Sequence, residues 1–415
     1  MTTEQITGKP RWLATCPRET RDVLVGELAG LGVEAITPLH RGVAFAADLA
    51  TGYRAHLWLR TASRIQRVVA EVPAGSVAEL AQQVQRIDWT LWLRKHRPFM
   101  VQTILTDRAG QGLGQGPVAD AVAQAVMSRF ALGSVPPVPT PGSVAQTHGS
   151  VAPAAGSETP GRTSGGGGPA YRPQAQNAVT IVAHLRNGVC TLGLDTAGRA
   201  LHKRGWRLNG HPAVLKETLA AALLLLAGYE GTEPLLDPMC GSGTIIIEAA
   251  YIALNKAVLI HRGKDDFALE HLAGFDRGLW RKVADELRAG KRIEPRAPLF
   301  AGDIRPEYVD LARRGALRAR VEKYITFRTG AFKALAPPAD HGLLVANLPH
   351  GQRLGQGELP GIYAGVGRMI RERYARWRVA LLAAADGPIP ALGLRGARQV
   401  PLMNGALPVR LVIRD

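Results

Sequence analysis

Short apolar runs alternate with amphipathic ones through the first hundred residues. RWLATCP reads as a strand, ETRDVLVGELAGLG as an amphipathic helix closed by glycine, and VEAITPLHRGVAFAAD as two strands. YRAHLWLRTASRIQRVVAEV then predicts a helix passing into a strand, and SVAELAQQVQRIDWTLWL a second helix. Further on, ADAVAQAVMSRF has helical spacing, and NAVTIVAHLRNGVCTLGLDT predicts a hairpin turning at Asn187-Gly188. This is an α+β pattern with no cluster of catalytic side chains. The C-terminal half differs. EPLLDPMCGSGTIIIEAAYIAL and PLFAGDIRPEYVDLARRGALRA each run from an apolar strand through a turn into a helix. Two such units predict an α/β domain with a doubly wound, mostly parallel sheet and a ligand at the carboxyl ends of its strands.

Between the halves, residues 131–170 contain almost nothing but Pro, Gly, Ser, Ala, Val and Thr. Such a stretch buries too little apolar surface to offset its ordering entropy, so disorder is expected. A lone hairpin after it needs a larger sheet to pair with, so the stretch reads as an insertion within the preceding domain.

Composition narrows the class. The 415 residues, 46% hydrophobic and 20% charged, predict two or three globular domains. Fifty-one Lys and Arg against 34 Asp and Glu give +17, which favours a polyanionic partner such as nucleic acid. Cys16, Cys190 and Cys240 form no paired motif, so neither a zinc site nor a disulfide framework is expected. No signal peptide is apparent at the N-terminus. The most apolar run, LAAALLLLAG, is about half a membrane span. A soluble cytoplasmic protein without membrane or metal partners is the expectation.

Gly241 and Gly243 let the backbone turn sharply and approach a ligand closely. Asp303 ends the second strand, where a carboxylate can accept hydrogen bonds from ribose hydroxyls. The nicotinamide fingerprint fails because position 246 is Ile, and a P-loop fails because Thr244-Ile245 follow Gly243. Asp237 before the glycines, with Asp303 later, suggests S-adenosylmethionine instead. Neither metal ligands nor a hydrolytic triad can be assembled.

LLDPMCGSGTIIIEAA, LDTAGRALHKRGWRL, HPAVLKETLAAALLLLAG, FALEHLAGFDRGLW and PLMNGALPVRLVIRD together resemble, in matching order, one family. These are the THUMP-domain class I RNA methyltransferases of the RlmK/L type, which methylate guanine N2 in large-subunit ribosomal RNA. The resemblance covers most of residues 179–415. It implies a ferredoxin-like subdomain over 1–60, a THUMP RNA-binding domain over 61–197 and a Rossmann-like methyltransferase domain over 198–415. It further implies a cofactor site of Asp237, Pro238, Met239, Cys240, Gly241, Ser242, Gly243, Thr244, Asp303, Ile304, Ala331 and Asn347.

The resemblance assigns catalysis to Asn347, Leu348, Pro349 and His350, where the family carries Asn-Pro-Pro-Tyr or a close variant. Guanine N2 is a poor nucleophile because its lone pair is conjugated into the ring. The Asn side chain and the next residue's carbonyl hold its N–H groups, while an aromatic ring stacks on a base drawn out of its RNA stack. Leu348 keeps that carbonyl but loses the fixed φ of proline. His350 can still stack. Ala331 stands where the family has an acidic partner for the adenine amine, a loss of about 1–3 kcal/mol. His202, Arg204, Arg207 and Arg353 are placed to clamp RNA phosphates, against an interdomain salt-bridge role for the first three. The alternatives are transfer RNA as substrate, adenine N6 as acceptor, and a catalytically silent RNA-binding relative.

Overall fold

The computed structural model describes residues 8–106, 113–130, 178–208, 215–263, 265–349 and 358–415. The 131–170 segment, His350 and Arg353 lie outside the described residues. Contacts divide the chain into two units. One comprises Met1–Val68, Thr196–Glu270 and Asp276–Asp415; the other comprises Val69–Asp195 with His271–Phe275.

The first unit begins with β1 (Arg11–Thr15), α1 (Arg21–Gly30), β2 (Ala35–Leu39), β3 (Gly42–Ala46), α2 (Leu49–Trp58) and the start of β4 (Arg64–Pro73). β1 pairs antiparallel with β3 on one side and with Arg64–Arg67 of β4 on the other, and β2 flanks β3. The predicted strands and helices are found. However, α2 starts four residues before Tyr53, because the Asp48 carboxylate accepts from Thr51 N at 2.7 Å and caps it.

On α2, His56 is completely buried. Its Nδ1 lies 2.7 Å from Gly52 O and its Nε2 2.7 Å from Thr196 Oγ1. A carbonyl only accepts, so Nδ1 carries the proton in the neutral ring, and the single Thr196 hydroxyl proton is shared between Nε2 and Ile65 O, 2.8 Å away. Burial, the largest cause, pushes the imidazole down to about 4 from its ordinary 6.5. With the folded value below the unfolded one, this stability is fully present above pH 6.5 and is lost as pH falls towards 4. Between pH 7 and pH 5 the unfolding free energy should drop by about 2 kcal/mol more in the wild type than in His56→Gln. Urea titrations at the two pH values check this, and parallel losses in both proteins would refute it.

The second unit contains α3 (Val77–Gln85), β5 (Phe99–Leu105), α4 (Gln115–Arg129), β6 (Val179–Arg186) and β7 (Val189–Asp195). β6 runs antiparallel to β7 and parallel to β5. The hairpin turns where expected: Asn187 and Gly188 have φ of 50° and 72°, the left-handed pair a two-residue turn requires. The helix read over residues 76–93 is shorter than predicted and stops at Gln85. There the Trp89 indole donates to Val84 O at 3.0 Å and Asp88 caps a separate short turn, Trp89–Leu91. Trp89, Val101, Val122, Ile181 and Leu192 pack in this unit's core.

The remainder of the first unit is α5 (Glu217–Leu226), β8 (Leu235–Asp237), α6 (Thr244–Ala253), α7 (Arg277–Ala289), β9 (Leu299–Asp303), α8 (Pro306–Arg318), β10 (Ile325–Thr329), β11 (Gly342–Asn347), α9 (Leu359–Arg373), β12 (Trp377–Ala384), β13 (Arg398–Asn404) and β14 (Leu407–Arg414). Their sheet has the order β10-β9-β8-β11-β12-β14-β13. Its first five strands are parallel, and β14 runs antiparallel to both β12 and β13. The expected doubly wound sheet is thus present, extended by an antiparallel hairpin. Strand order reverses between β8 and β11, which opens a crevice at their carboxyl ends. Among the described residues no helix is long and apolar enough to cross a membrane.

Candidate active site

Strand register gathers the predicted side chains. Leu235 and Leu236 of β8 align with Leu343 and Leu344 of β11, and Asp237 aligns with Ala301 of β9. Counting onward, Asp303 and Asn347 each stand two residues past the level of Asp237, on its two flanking strands. Period-two alternation puts all three on one face, with the outer two strands about 10 Å apart.

The glycine turn closes over this end. Gly241 and Gly243 have φ of 51° and 78°, where a Cβ is strained, and a Cβ on Gly243 would also sit 2.9 Å from Ala312 Cβ. Asp303 anchors the turn: its Oδ2 accepts from Gly241 N at 3.0 Å and its Oδ1 from Arg305 N at 3.0 Å. Each oxygen keeps a further lone pair for a ligand hydroxyl. Cys240 N donates to Gly302 O at 2.8 Å, fixing the turn to β9. Beside Asp303, the Ile304 side chain is 66% exposed, an apolar surface able to cover a flat ring. Gly330 N donates to Asp303 O at 2.9 Å, which brings Ala331 alongside.

Asp237 is 1% exposed. Burial holds its carboxyl well above the usual range; a hydrogen bond from Met239 N opposes the rise, and the Asp303 charge adds to it. Burial likewise pushes the Cys240 thiol well up, with Asp237 and Asp303 contributing. A thiol held protonated is no nucleophile, so Cys240 packs the turn. Pro238, Met239, Ser242 and Thr244 complete the loop from β8 into α6.

At the end of β11, Asn347 Oδ1 is buried and has no hydrogen-bond partner among the described residues. Buried side-chain acceptors are nearly always paired, so the partner of this one lies outside the described residues. Leu348 is 1% exposed and packs with Ala346, Tyr363 and Leu381. Its amide donates to Leu382 O at 2.8 Å, a bond proline cannot make. The rigidity that proline would bring is therefore replaced by an inter-strand tether. Tyr363 on α9 donates to Pro349 O at 3.4 Å, a second tether. Neither bond has a signal in the sequence, since each depends on a partner reached only through the fold.

The proposed RNA-contacting residues part company. Arg204 does not face solvent, which corrects its reading as a phosphate clamp. Its side chain and that of Glu248 are both 0% exposed, with Nε 3.3 Å from Oε1. Its remaining nitrogens donate to Leu201 O at 2.8 Å and Arg60 O at 2.5 Å. The buried Glu248 carboxylate on α6 needs a cation, and Arg204 supplies it. Arg207 bonds Glu217 at 2.9 Å and Thr244 Oγ1 at 3.3 Å, so it braces the start of α6 just after the glycine turn. His202 is half-buried, and burial lowers its imidazole from the ordinary value.

Comparisons with known proteins agree with this geometry. Residues 204–413 match the RMKL-like methyltransferase domain, and residues 11–66 match the RlmL ferredoxin-like domain. A Synechocystis sp. protein named "Putative RNA methyltransferase slr0064" is 30% identical over 97% of this chain and 95% of its own length. The "Ribosomal RNA large subunit methyltransferase K/L" of Shewanella sp. (strain MR-7) is 31% identical over 95% of this chain. The chain spans about half of that relative, 51% of its length. SMU.472, solved as a complex with SAH, superposes with a TM-score of 0.79 at 24% identity, covering 98% of both chains, and so shares the fold. The domain match and the full-length likeness to the Synechocystis protein coincide with the sheet that carries Asp237, Asp303 and Asn347, and the chain belongs to the RMKL-like methyltransferases.

Proposed function

We propose that the protein is an S-adenosylmethionine-dependent RNA methyltransferase that modifies the exocyclic N2 amine of a guanosine in large-subunit ribosomal RNA. The observation that carries the reading is the unpaired Asn347 Oδ1 at the strand-order reversal, across β8 from Asp303. S-adenosylmethionine supplies a methyl group on a positively charged sulfur. The residues fit such a ligand: Asp303 has lone pairs free for ribose hydroxyls, Ile304 offers apolar cover, and the glycine turn leaves room for a close backbone approach.

Asn347 Oδ1 and the Leu348 carbonyl accept the two N2–H bonds and aim the amine's lone pair at the methyl. The Leu382 and Tyr363 tethers keep those acceptors in place. His350 is assigned stacking on the extruded base, and the THUMP region over 61–197 the wider grip on RNA. Nucleoside mass spectrometry of ribosomal RNA incubated with enzyme and cofactor tests the reading. N2-methylguanosine supports it. N6-methyladenosine would reassign the acceptor, and no methylated nucleoside would favour a silent RNA-binding protein.

Asp303→Ala should weaken S-adenosylmethionine binding about 10- to 100-fold, since it removes the ribose acceptor and frees Gly241 N and Arg305 N together. Calorimetric titration measures this, and an unchanged affinity would move the cofactor elsewhere.

A further inference from the structure

A second polar cavity lies in the first unit, separate from the site at Asp237, Asp303 and Asn347. It measures about 240 Å³, and its walls include Arg199, Trp206, His261, Arg262, Asp266 and Arg318. Arg199 is balanced by Asp266, with Nη1 3.2 Å from Oδ1. Among the described residues no carboxylate lies within ion-pair distance of Arg262 or Arg318. The cavity is therefore cationic in net terms.

Its unmade hydrogen bonds are more specific than its charge. The Arg262 guanidinium is held by the carbonyls of Ala197, Arg199 and Ala200 at 3.3, 3.0 and 2.8 Å, yet its Nε is buried with no acceptor among the described residues. Trp206 is 2% exposed, and its Nε1 is likewise buried without one. Burial, followed by the charge of Arg199, pushes Arg262 down to about 10, as expected where positive potential accumulates. Arg318 stands exposed in the last turn of α8. A ligand suited to two buried donors and a surplus of arginine presents only acceptors, carries negative charge and offers oxygens in several directions. A phosphate group does so.

We propose that the cavity lined by Trp206, Arg262 and Arg318 receives a backbone phosphate of the bound RNA. The assignment of that phosphate to RNA rests on the function proposed above. The cavity fixes where along the strand the protein grips, while base chemistry belongs to Asn347 and its neighbours.

The test is equilibrium binding of a short fluorescein-labelled single-stranded RNA to the full chain across a salt series. Arg318→Gln changes an exposed residue, and an unaltered S-adenosylmethionine titration shows that the variant is folded. It should weaken RNA binding about 3- to 10-fold at low salt and reduce the slope of log affinity against log salt by about one. Trp206→Phe keeps a ring but removes the donor, so affinity should fall while the salt slope stays put. Wild-type affinity and slope in both variants would overturn the cavity assignment while leaving RNA binding intact. If the wild type binds no RNA, the underlying RNA reading fails and the cavity proposal falls with it. If inorganic phosphate alone alters tryptophan fluorescence while RNA affinity ignores both substitutions, the cavity holds free anions and the RNA assignment is overturned.

Discussion

Asn347→Ala is expected to slow methyl transfer by about 10²- to 10³-fold, the usual loss when one preorganised polar partner of the reacting group is removed. Cofactor affinity should fall by no more than about fivefold, the worth of a single neutral hydrogen bond. The split follows from the geometry. Asp303 and the Gly241–Gly243 turn hold their positions through bonds that do not pass through Asn347 Oδ1. That oxygen has no partner among the described residues, so truncation frees none of their donors. Single-turnover rates at saturating cofactor, with calorimetry on the same preparation, separate the two effects. Equal turnover in the variant would remove Asn347 from the chemistry.

Arg204→Met should lower the unfolding free energy by about 3–5 kcal/mol, because it strands the Glu248 carboxylate in the interior. Burial already raises the Glu248 carboxyl, with Arg204 and Arg60 opposing the rise, so removing Arg204 leaves less to keep it ionised. The double variant Arg204→Met/Glu248→Met should recover most of the loss, since two apolar side chains need no pairing. Denaturant titration of the three proteins gives the answer. A variant that unfolds like the wild type but binds RNA poorly would restore Arg204 to the RNA-contacting set.

These two residues mark what a sequence discloses. Asp303 and the glycine turn were legible because strand, turn and helix are contiguous, and the chemistry of a carboxylate at a strand end is local. The Asn187-Gly188 hairpin was legible for the same reason. Arg204 was not, because its environment is made by Glu248 on α6 and by the carbonyl of Arg60, 144 residues away. Leu348 looked like a loss of rigidity, since the compensating carbonyl of Leu382 enters only through the pairing of β11 with β12. The helix over 76–93 was read too long because apolar spacing continues through Trp89, whose indole turns back onto Val84.

The first unit is assembled from separated stretches of chain, and that has a consequence in time. His56 meets Thr196 across 140 residues, and Arg60 meets the carbonyl of Lys256 across 196. At about 5–20 residues per second, the strands around β1 leave the ribosome on the order of ten seconds or more before these partners exist. Meanwhile the whole of Val69–Asp195 is synthesised. The second unit can therefore assemble most of its core in that interval, with Leu272 added later, whereas the catalytic one must wait with its opening strands unfinished. Its apolar edges are exposed for that interval, the period in which a nascent chain most needs a chaperone.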